Sequence, residues 1–361
     1  MQNLILLLGG LVLLIVGAEA LVRGASRVAA ALRIPPLVIG LTVVAFGTSS
    51  PELAVSIQAA LSGGGDIALG NVVGSNIFNI LVILGLAAII TPLVIAQQLV
   101  RLEVPLMIGL SLLLFVVGLD GRISRVEGLL FVLMLLAYII FSIRQGRRET
   151  AAVQQEYADK FGKAITLSPA QWLLNLALVA IGLAMLVIGA DWLVSSASAI
   201  ARNFGVSDLI IGLTIVAAGT SAPEVATSVL AALRGERDIA AGNVIGSNIF
   251  NILAVLGVSA ALSARGIAVP GPALAFDLPV MIAVAVATLP IFFTGHKISR
   301  WEGALFLALY AAYALFLLFD ATDHDILPLY STVMLVILPL VTLTLGILAT
   351  REWRNRRAAV E

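Results

Sequence analysis

Two glutamates, Glu52 and Glu224, stand in strongly apolar surroundings, and each closes a Gly-Thr-Ser-x-Pro-Glu string. An ionised side chain at the centre of a membrane helix costs about 2.5–3.5 kcal/mol or more, so each demands a functional explanation. The string before them weakens helical hydrogen bonding through Gly and removes a donor through Pro, while its hydroxyls can satisfy freed backbone groups. Ser or Thr before Pro also reads as an N-cap with Pro at the first helical position, which predicts a helix that stops and restarts. Carbonyls near Ala45 and Ala217 are then expected to be released as oxygen donors. A second motif follows each glutamate. Asn71, Ser75 and Asn79 are spaced i, i+4, i+8, as are Asn243, Ser247 and Asn251, so each trio lines one helical face. Facing lipid they would be costly, so they are expected to face the glutamates. The alternative is that Gly70, Gly74, Gly242, Gly246 and the small polar residues form only a close-packing seam. Packing alone, however, requires no carboxylate.

These residue types suit a hard cation. Ca²⁺ takes about 6–8 oxygen ligands, anionic ones prominent among them. Glu52, Glu224, the hydroxyls of Thr48, Ser49, Thr220 and Ser221 and the loosened carbonyls supply such a set. Two carboxylates match a 2+ charge, leaving a loaded site nearly neutral in a low dielectric. Na⁺ uses similar oxygens but fewer per ion, so one pocket can hold a Ca²⁺ or several Na⁺ but not both sets, which is the physical basis of antiport.

The elements that must position these groups are membrane helices. Of 361 residues, 60% are hydrophobic and 12% charged, with a mean hydropathy of +1.09; a soluble domain carries about 25% charged residues. Apolar windows of roughly the 20 residues needed to span a bilayer recur along the chain. Eleven spans are expected: 3–22, 36–62, 67–90, 102–119, 125–144, 170–194, 208–233, 239–262, 273–293, 301–319 and 329–350. The first lacks a basic n-region and has a counterpart in the chain interior, so it is expected to stay as a helix, not to be removed as a signal peptide. The absence of Cys excludes disulfides, thiol chemistry and Cys-based metal sites.

The chain repeats itself. GLTVVAFGTSSPE at Gly40–Glu52 returns as GLTIVAAGTSAPE at Gly212–Glu224, and DIALGNVVGSNIFNIL at Asp66–Leu81 as DIAAGNVIGSNIFNIL at Asp238–Leu253, both at an offset of 172 residues. Five spans per copy is an odd number, so the copies enter the membrane from opposite sides. Inverted repeats of this kind place a site near the midplane, where interrupted helices meet. The expected organisation is an all-α polytopic membrane protein: a first five-helix repeat over 1–144, a cytoplasmic linker over 145–169, an inverted five-helix repeat over 170–319, and over 320–361 an acidic loop, an accessory helix and a basic tail. With the N-terminus outside, 17 of the 21 basic residues fall on the cytoplasmic side, which sets that orientation and places the C-terminus inside. The Asp320–Asp325 loop reads as a solvated acidic loop with, at most, loose metal binding. Glu19 and Asp191 occupy matching places near an interface, where they snorkel or pair with a backbone end. Glu103 with Asp277, and Glu127 with Glu302, sit at expected helix starts, where an acid complements the helix dipole.

At the paired GTSxPE and GNxxGSNxxN motifs the sequence resembles the cation/Ca²⁺ exchanger superfamily, specifically its prokaryotic sodium/calcium exchanger type. The likeness covers both repeats and leaves out only the last helix. It implies a ten-helix core with one Ca²⁺ site and up to three Na⁺ sites, and alternating access by sliding of the first and sixth helices. It implies ligands at Glu52, Glu224, Thr48, Ser49, Thr220, Ser221, Ser75, Asn79, Ser247 and Asn251 and at the carbonyls of Ala45 and Ala217. No cofactor is expected, Ca²⁺ and Na⁺ being the transported ions; the lipid bilayer is the expected surrounding and nucleic acid is not a partner. The H⁺/Ca²⁺ branch usually has an acid where this chain has Gly74 and Gly246, which favours Na⁺ as counter-ion. The characterised type often has Asp at the place of Asn251, a departure that bears on stoichiometry. The competing expectations are an H⁺-coupled divalent antiporter on the same scaffold, a channel, and an intramembrane hydrolase; the last needs His within the bilayer, whereas His296 and His324 fall in expected loops.

Overall fold

A computed structural model describes residues 2–32, 34–148, 167–204, 217–293, 297–322 and 324–358. The chain is a bundle of apolar helices: α1 (Gln2–Leu32), the pair α2 (Leu37–Thr48) and α3 (Ser50–Leu61), α4 (Gly65–Ile90), α5 (Leu99–Asp120) and α6 (Arg125–Arg148). The second copy gives α7 (Pro169–Asn203), α8 (Ala217–Thr220), α9 (Ala222–Leu233), α10 (Arg237–Leu262), α11 (Ala273–Phe292) and α12 (Arg300–Ala321), followed by α13 (Leu327–Ala358). Among the described residues eight helices are long and apolar enough to cross a bilayer, nine when the bent pair α2–α3 is taken as one span. Nine of the eleven expected spans are thus counted among the described residues. Of the expected span 208–233, residues 208–216 lie outside the described residues. The expected span 329–350 falls within α13, of which the described apolar stretch is Leu327–Val341. Most of the linker 145–169, together with His296 and Asp323, also lies outside the described residues.

Helices α1 and α7 run about ten residues beyond the expected ends at 22 and 194. Hydropathy measures how much chain lipid can hold, not where a helix stops. The stretch after Arg23 remains rich in Ala, a strong helix former, and α1 ends only ahead of Pro35 and Pro36. The two long helices lie against each other with backbone nearly touching backbone: a Cβ at Gly17 would meet the Gly182 carbonyl oxygen at 2.9 Å, and one at Gly182 the Leu21 nitrogen at 2.7 Å. Side chains are absent there because the axes approach too closely to admit any.

The inverted symmetry is written into the contacts. On one end β1 (Leu93–Val94) pairs antiparallel with β4 (Lys297–Ile298), and on the other β2 (Arg122–Ile123) pairs with β3 (Ile267–Ala268), so each clasp joins one copy to the other. Glu302 accepts from the Ser299 N–H at 2.7 Å in a capping box that starts α12, and Glu127 bonds the Ser124 N–H at 2.7 Å at the start of α6. These two acids are helix-start residues, as expected. Beside them Arg125 Nε donates to the Ala261 carbonyl at 3.2 Å, and Arg300 Nε to the Ile89 carbonyl at 3.1 Å, again across the copies. At the centre, α4 and α10 are the most buried helices. Both widen into a π turn at the same place, Asn79–Leu84 and Asn251–Leu256, a feature that clusters at functional sites.

Candidate cation-binding site

The expected helix break is present at Ser49, where φ −78° and ψ 9° leave helical geometry between α2 and α3 and the axes bend by 46°. Pro51 lies in the first turn of α3, and Ser221 with Pro223 repeats the arrangement ahead of α9. Ser49 and Ser221 hold N-cap positions, yet neither hydroxyl caps its own helix. Each crosses to the other copy instead: Ser49 Oγ donates to Glu224 Oε1 at 3.1 Å and Ser221 Oγ to Glu52 Oε1 at 3.0 Å. Glu52 and Glu224 are both 1% exposed. The break therefore brings two carboxylates, one from each copy, into a single crosswise-bonded cluster deep in the bundle.

The surrounding polar groups hold the half-helices in place. Asn71 Nδ2 donates to the Glu52 backbone carbonyl at 3.1 Å and to Ser56 Oγ at 2.9 Å, and Asn243 Nδ2 to Ser228 Oγ at 2.9 Å. Thr48 Oγ1 donates to Asn243 Oδ1 at 3.1 Å. Ser75 Oγ lies 3.4 Å from Ser221 Oγ, which ties it to the Glu52 side of the cluster. Ser247 is fully buried on the matching face of α10, and Thr220, at the end of α8, is half-buried. The Ala45 carbonyl is not released by the break. It accepts the Ser49 N–H at 3.0 Å and the Thr48 hydroxyl at 3.3 Å, because α2 keeps its ladder up to Thr48. Ala217 opens α8, and its side chain lies outside the described residues. Asn79 and Asn251, both 1% exposed, donate to Asn248 Oδ1 at 2.9 Å and Asn76 Oδ1 at 3.0 Å.

What remains is a set of buried oxygens. Glu52 Oε2, Glu224 Oε2, Asn79 Oδ1 and Asn251 Oδ1 accept no hydrogen bond among the described residues, and Ser247 Oγ has no partner there. Carboxylate and amide oxygens can only accept, and leaving them bare in a dry interior costs about 1–3 kcal/mol each, so the cluster is built for something positive. Among the described residues no group of three or more His, Cys, Asp or Glu side chains could hold a metal ion. The cluster is thus made of two acids and neutral oxygens, which suits an ion bound reversibly.

Sequence reasoning placed the glutamates, the hydroxyls and the Asn79/Asn251 pair, and overlooked Asn76, Asn248, Ser56 and Ser228. The available signal was amide and hydroxyl groups repeated at the 172-residue offset within the apolar helices. The remaining acids lie apart. Glu19 pairs with Arg23 at 2.7 Å and with Arg234 across the bundle. Asp191 is exposed. Glu103 and Asp277 sit about one turn inside their helices, where they accept from Gln98 Nε2 at 3.0 Å and the Tyr313 hydroxyl at 2.9 Å and cap nothing.

The profile of the family described as "Sodium/calcium exchanger protein" matches residues 2–144 and 174–319. The sodium/calcium exchanger MaX1 of Methanosarcina acetivorans is 35% identical over 347 residues, covering 88% of this chain and 99% of its own. The inner membrane protein YrbG of Escherichia coli K12 is 39% identical over 260 residues, covering 72% and 79% respectively. A solved structure of the sodium-calcium exchanger NCX_Mj, soaked with 2.5 mM Na⁺ and 0.1 mM Ca²⁺, superposes with a TM-score of 0.74 at 32% identity, covering 86% of this chain and 97% of that one.

Proposed function

The chain belongs to the sodium/calcium exchanger protein family, as a prokaryotic-type cation/Ca²⁺ antiporter of the membrane and not an enzyme, and from that premise we propose that it exchanges Ca²⁺ for Na⁺ by alternating access to the Glu52–Glu224 cluster. The observation that carries this reading is the crosswise bonding of Ser49 to Glu224 and of Ser221 to Glu52, with the second oxygen of each carboxylate left open. The ligands are Glu52, Glu224, Thr48, Ser49, Ser221, Thr220, Ser75, Ser247, Asn79 and Asn251. Ser49 and Ser221 each spend their only hydroxyl proton on a carboxylate, so their lone pairs are free to face the ion. Two negative charges neutralise one Ca²⁺, and the neutral oxygens complete a shell of 6–8. Na⁺ ions drawn to the same oxygens displace it. Should three Na⁺ replace one Ca²⁺, one charge crosses per cycle, worth about 2.3 kcal/mol per 100 mV. The N-terminus lies outside and the C-terminus in the cytoplasm, as the basic residues dictate.

The test is ⁴⁵Ca²⁺ flux in proteoliposomes under an imposed Na⁺ gradient or an imposed pH gradient. The expected result is uptake driven by Na⁺, and its loss in Glu52→Gln and in Glu224→Gln although both proteins insert. Flux driven only by the pH gradient would transfer the same site to H⁺ coupling. Full activity in either variant would remove the site assignment.

A further inference from the structure

At the axis relating the two copies, Asn76 faces Asn248, and the two are separated in sequence by the same 172 residues as the repeats themselves. Asn76 Nδ2 donates to the backbone carbonyl of Asn248 at 3.3 Å, with Met281 Sδ at 3.6 Å; Asn248 Nδ2 donates to the carbonyl of Asn76 at 3.2 Å, with Met107 Sδ at 3.5 Å. A backbone carbonyl only accepts, so each amide must present its nitrogen to it. That fixes the other end: Asn76 Oδ1 faces Asn251 Nδ2 at 3.0 Å, and Asn248 Oδ1 faces Asn79 Nδ2 at 2.9 Å. The polarity then passes one step further. With their nitrogens committed, Asn79 and Asn251 have only Oδ1 left, and in both it is buried without a donor among the described residues. These two asparagines open the π turns that pack against the half-helices carrying Glu224 and Glu52 respectively.

We propose that Asn76 and Asn248 are positioning residues that lock the amides of Asn79 and Asn251 with oxygen toward the transported cation, so that an amide able to turn either end to the site acts as an acceptor only. The inference rests on the cation-binding reading of the Glu52–Glu224 cluster and adds a selectivity device to it. Without the lock, a half-turn of the terminal torsion, which is roughly two-fold in any case, would aim N–H groups at a cation. Two main-chain carbonyls thereby set which end of each amide the midplane presents, through a relay of neutral side chains, while Glu52 and Glu224 supply the charge.

A thermodynamic cycle of Asn248→Leu, Asn79→Asp and the double variant tests this by ⁴⁵Ca²⁺ uptake in proteoliposomes, with KM and kcat measured separately. Asn248→Leu releases the Asn79 amide and is expected to raise the KM for Ca²⁺ about tenfold, the scale of one lost buried polar contact. Asn79→Asp sets a carboxylate against Asn248 Oδ1, acceptor against acceptor, and also raises KM. Combined, the two losses should fail to multiply, because a carboxylate shows oxygen to the site whichever way it turns and Leu no longer opposes it. Multiplying penalties, as residues that merely pack would give, overturn the proposal, as does a KM within twofold of wild type in Asn248→Leu. Should that variant not fold, the cycle is repeated on Asn76→Leu with Asn251→Asp; if neither Leu variant folds, Asn79→Asp decides alone, an unchanged KM overturning the proposal and a raised one supporting it. Glu52→Gln run in parallel separates the two readings. Its inactivity beside an unaffected Asn248→Leu keeps the ion site and rejects the relay.

Discussion

Removing the Ser221 hydroxyl isolates the crosswise bond. In Ser221→Ala, Glu52 Oε1 loses the donor now 3.0 Å away, and the second carboxylate oxygen has none among the described residues to compensate. A hydrogen bond to a charged group is worth about 1.5–3 kcal/mol, and at about 1.4 kcal/mol per tenfold this corresponds to a change of roughly 10–150-fold in apparent affinity. The hydroxyl is also one of the proposed ligands, so the upper half of that range is expected for the Ca²⁺ KM. The inverted geometry predicts the same for Ser49→Ala, whose bond to Glu224 measures 3.1 Å. The assay is the initial rate of ⁴⁵Ca²⁺ uptake against Ca²⁺ concentration, normalised to protein that elutes as a single folded species. Placing Ser221→Ala on a Glu52→Gln background supplies the control: the acceptor is then neutral, so the serine's effect on Ca²⁺ binding, read by calorimetry, should fall to the 0.5–1.5 kcal/mol of an ordinary bond, about tenfold or less. A KM for Ser221→Ala within twofold of wild type, or an undiminished effect against the neutral acceptor, refutes the reasoning.

Two further outcomes follow from the scaffold. Gly182→Ala puts a methyl 2.7 Å from the Leu21 nitrogen and 2.8 Å from the Gly17 carbonyl oxygen, so α1 and α7 must part at an overpacking cost of about 1–3 kcal/mol; thermal unfolding in detergent should show a lower midpoint, and flux per folded molecule should fall. Glu302→Ala deletes the capping box at the start of α12 and should cost about 1 kcal/mol of stability, with the Ca²⁺ KM unchanged, since Glu302 lies outside the ion cluster.

The features that could be read from sequence are those for which chain chemistry permits few explanations. A carboxylate such as Glu52 inside an apolar run cannot be bland, and Ser-Pro at a fixed distance before it predicts the break at Ser49. The recurrence of whole motifs 172 residues apart gave the inverted architecture. What sequence hid was how neighbours meet. Spacing of i, i+4, i+8 sorts Asn71, Ser75 and Asn79 onto one face, but it carries no information about which residue of the other copy lies opposite, so the Asn76–Asn248 contact stayed invisible. The Ala45 carbonyl was misjudged for a related reason: Pro51 lacks its own N–H, but the donor for Ala45 belongs to Ser49, which still provides it at 3.0 Å. The ends of α1 and α7 were misplaced because charges end an apolar window without ending a helix.

The charge count of the proposed site also gives a reason for the proposed cycle to be an exchange. Two carboxylates 1% exposed among apolar helices are tolerable as ions only while a cation lies between them, since desolvating a bare carboxylate costs several kcal/mol. A loaded cluster, with one Ca²⁺ or its replacement Na⁺ ions, is close to neutral and can pass from one accessible face to the other while shut away from water. The empty cluster carries two uncompensated charges and must stay open to solvent on the side where it released its ion. Return then requires a new cation from that side, and uncoupled leak is suppressed by the cost of burying the empty site. Asparagine at 79 and 251 sharpens the rule, because amide oxygens bind a cation yet add no charge that a proton could neutralise in its place. In the proposed cycle the coupling thus resides in the two fixed charges of Glu52 and Glu224, whichever side faces water.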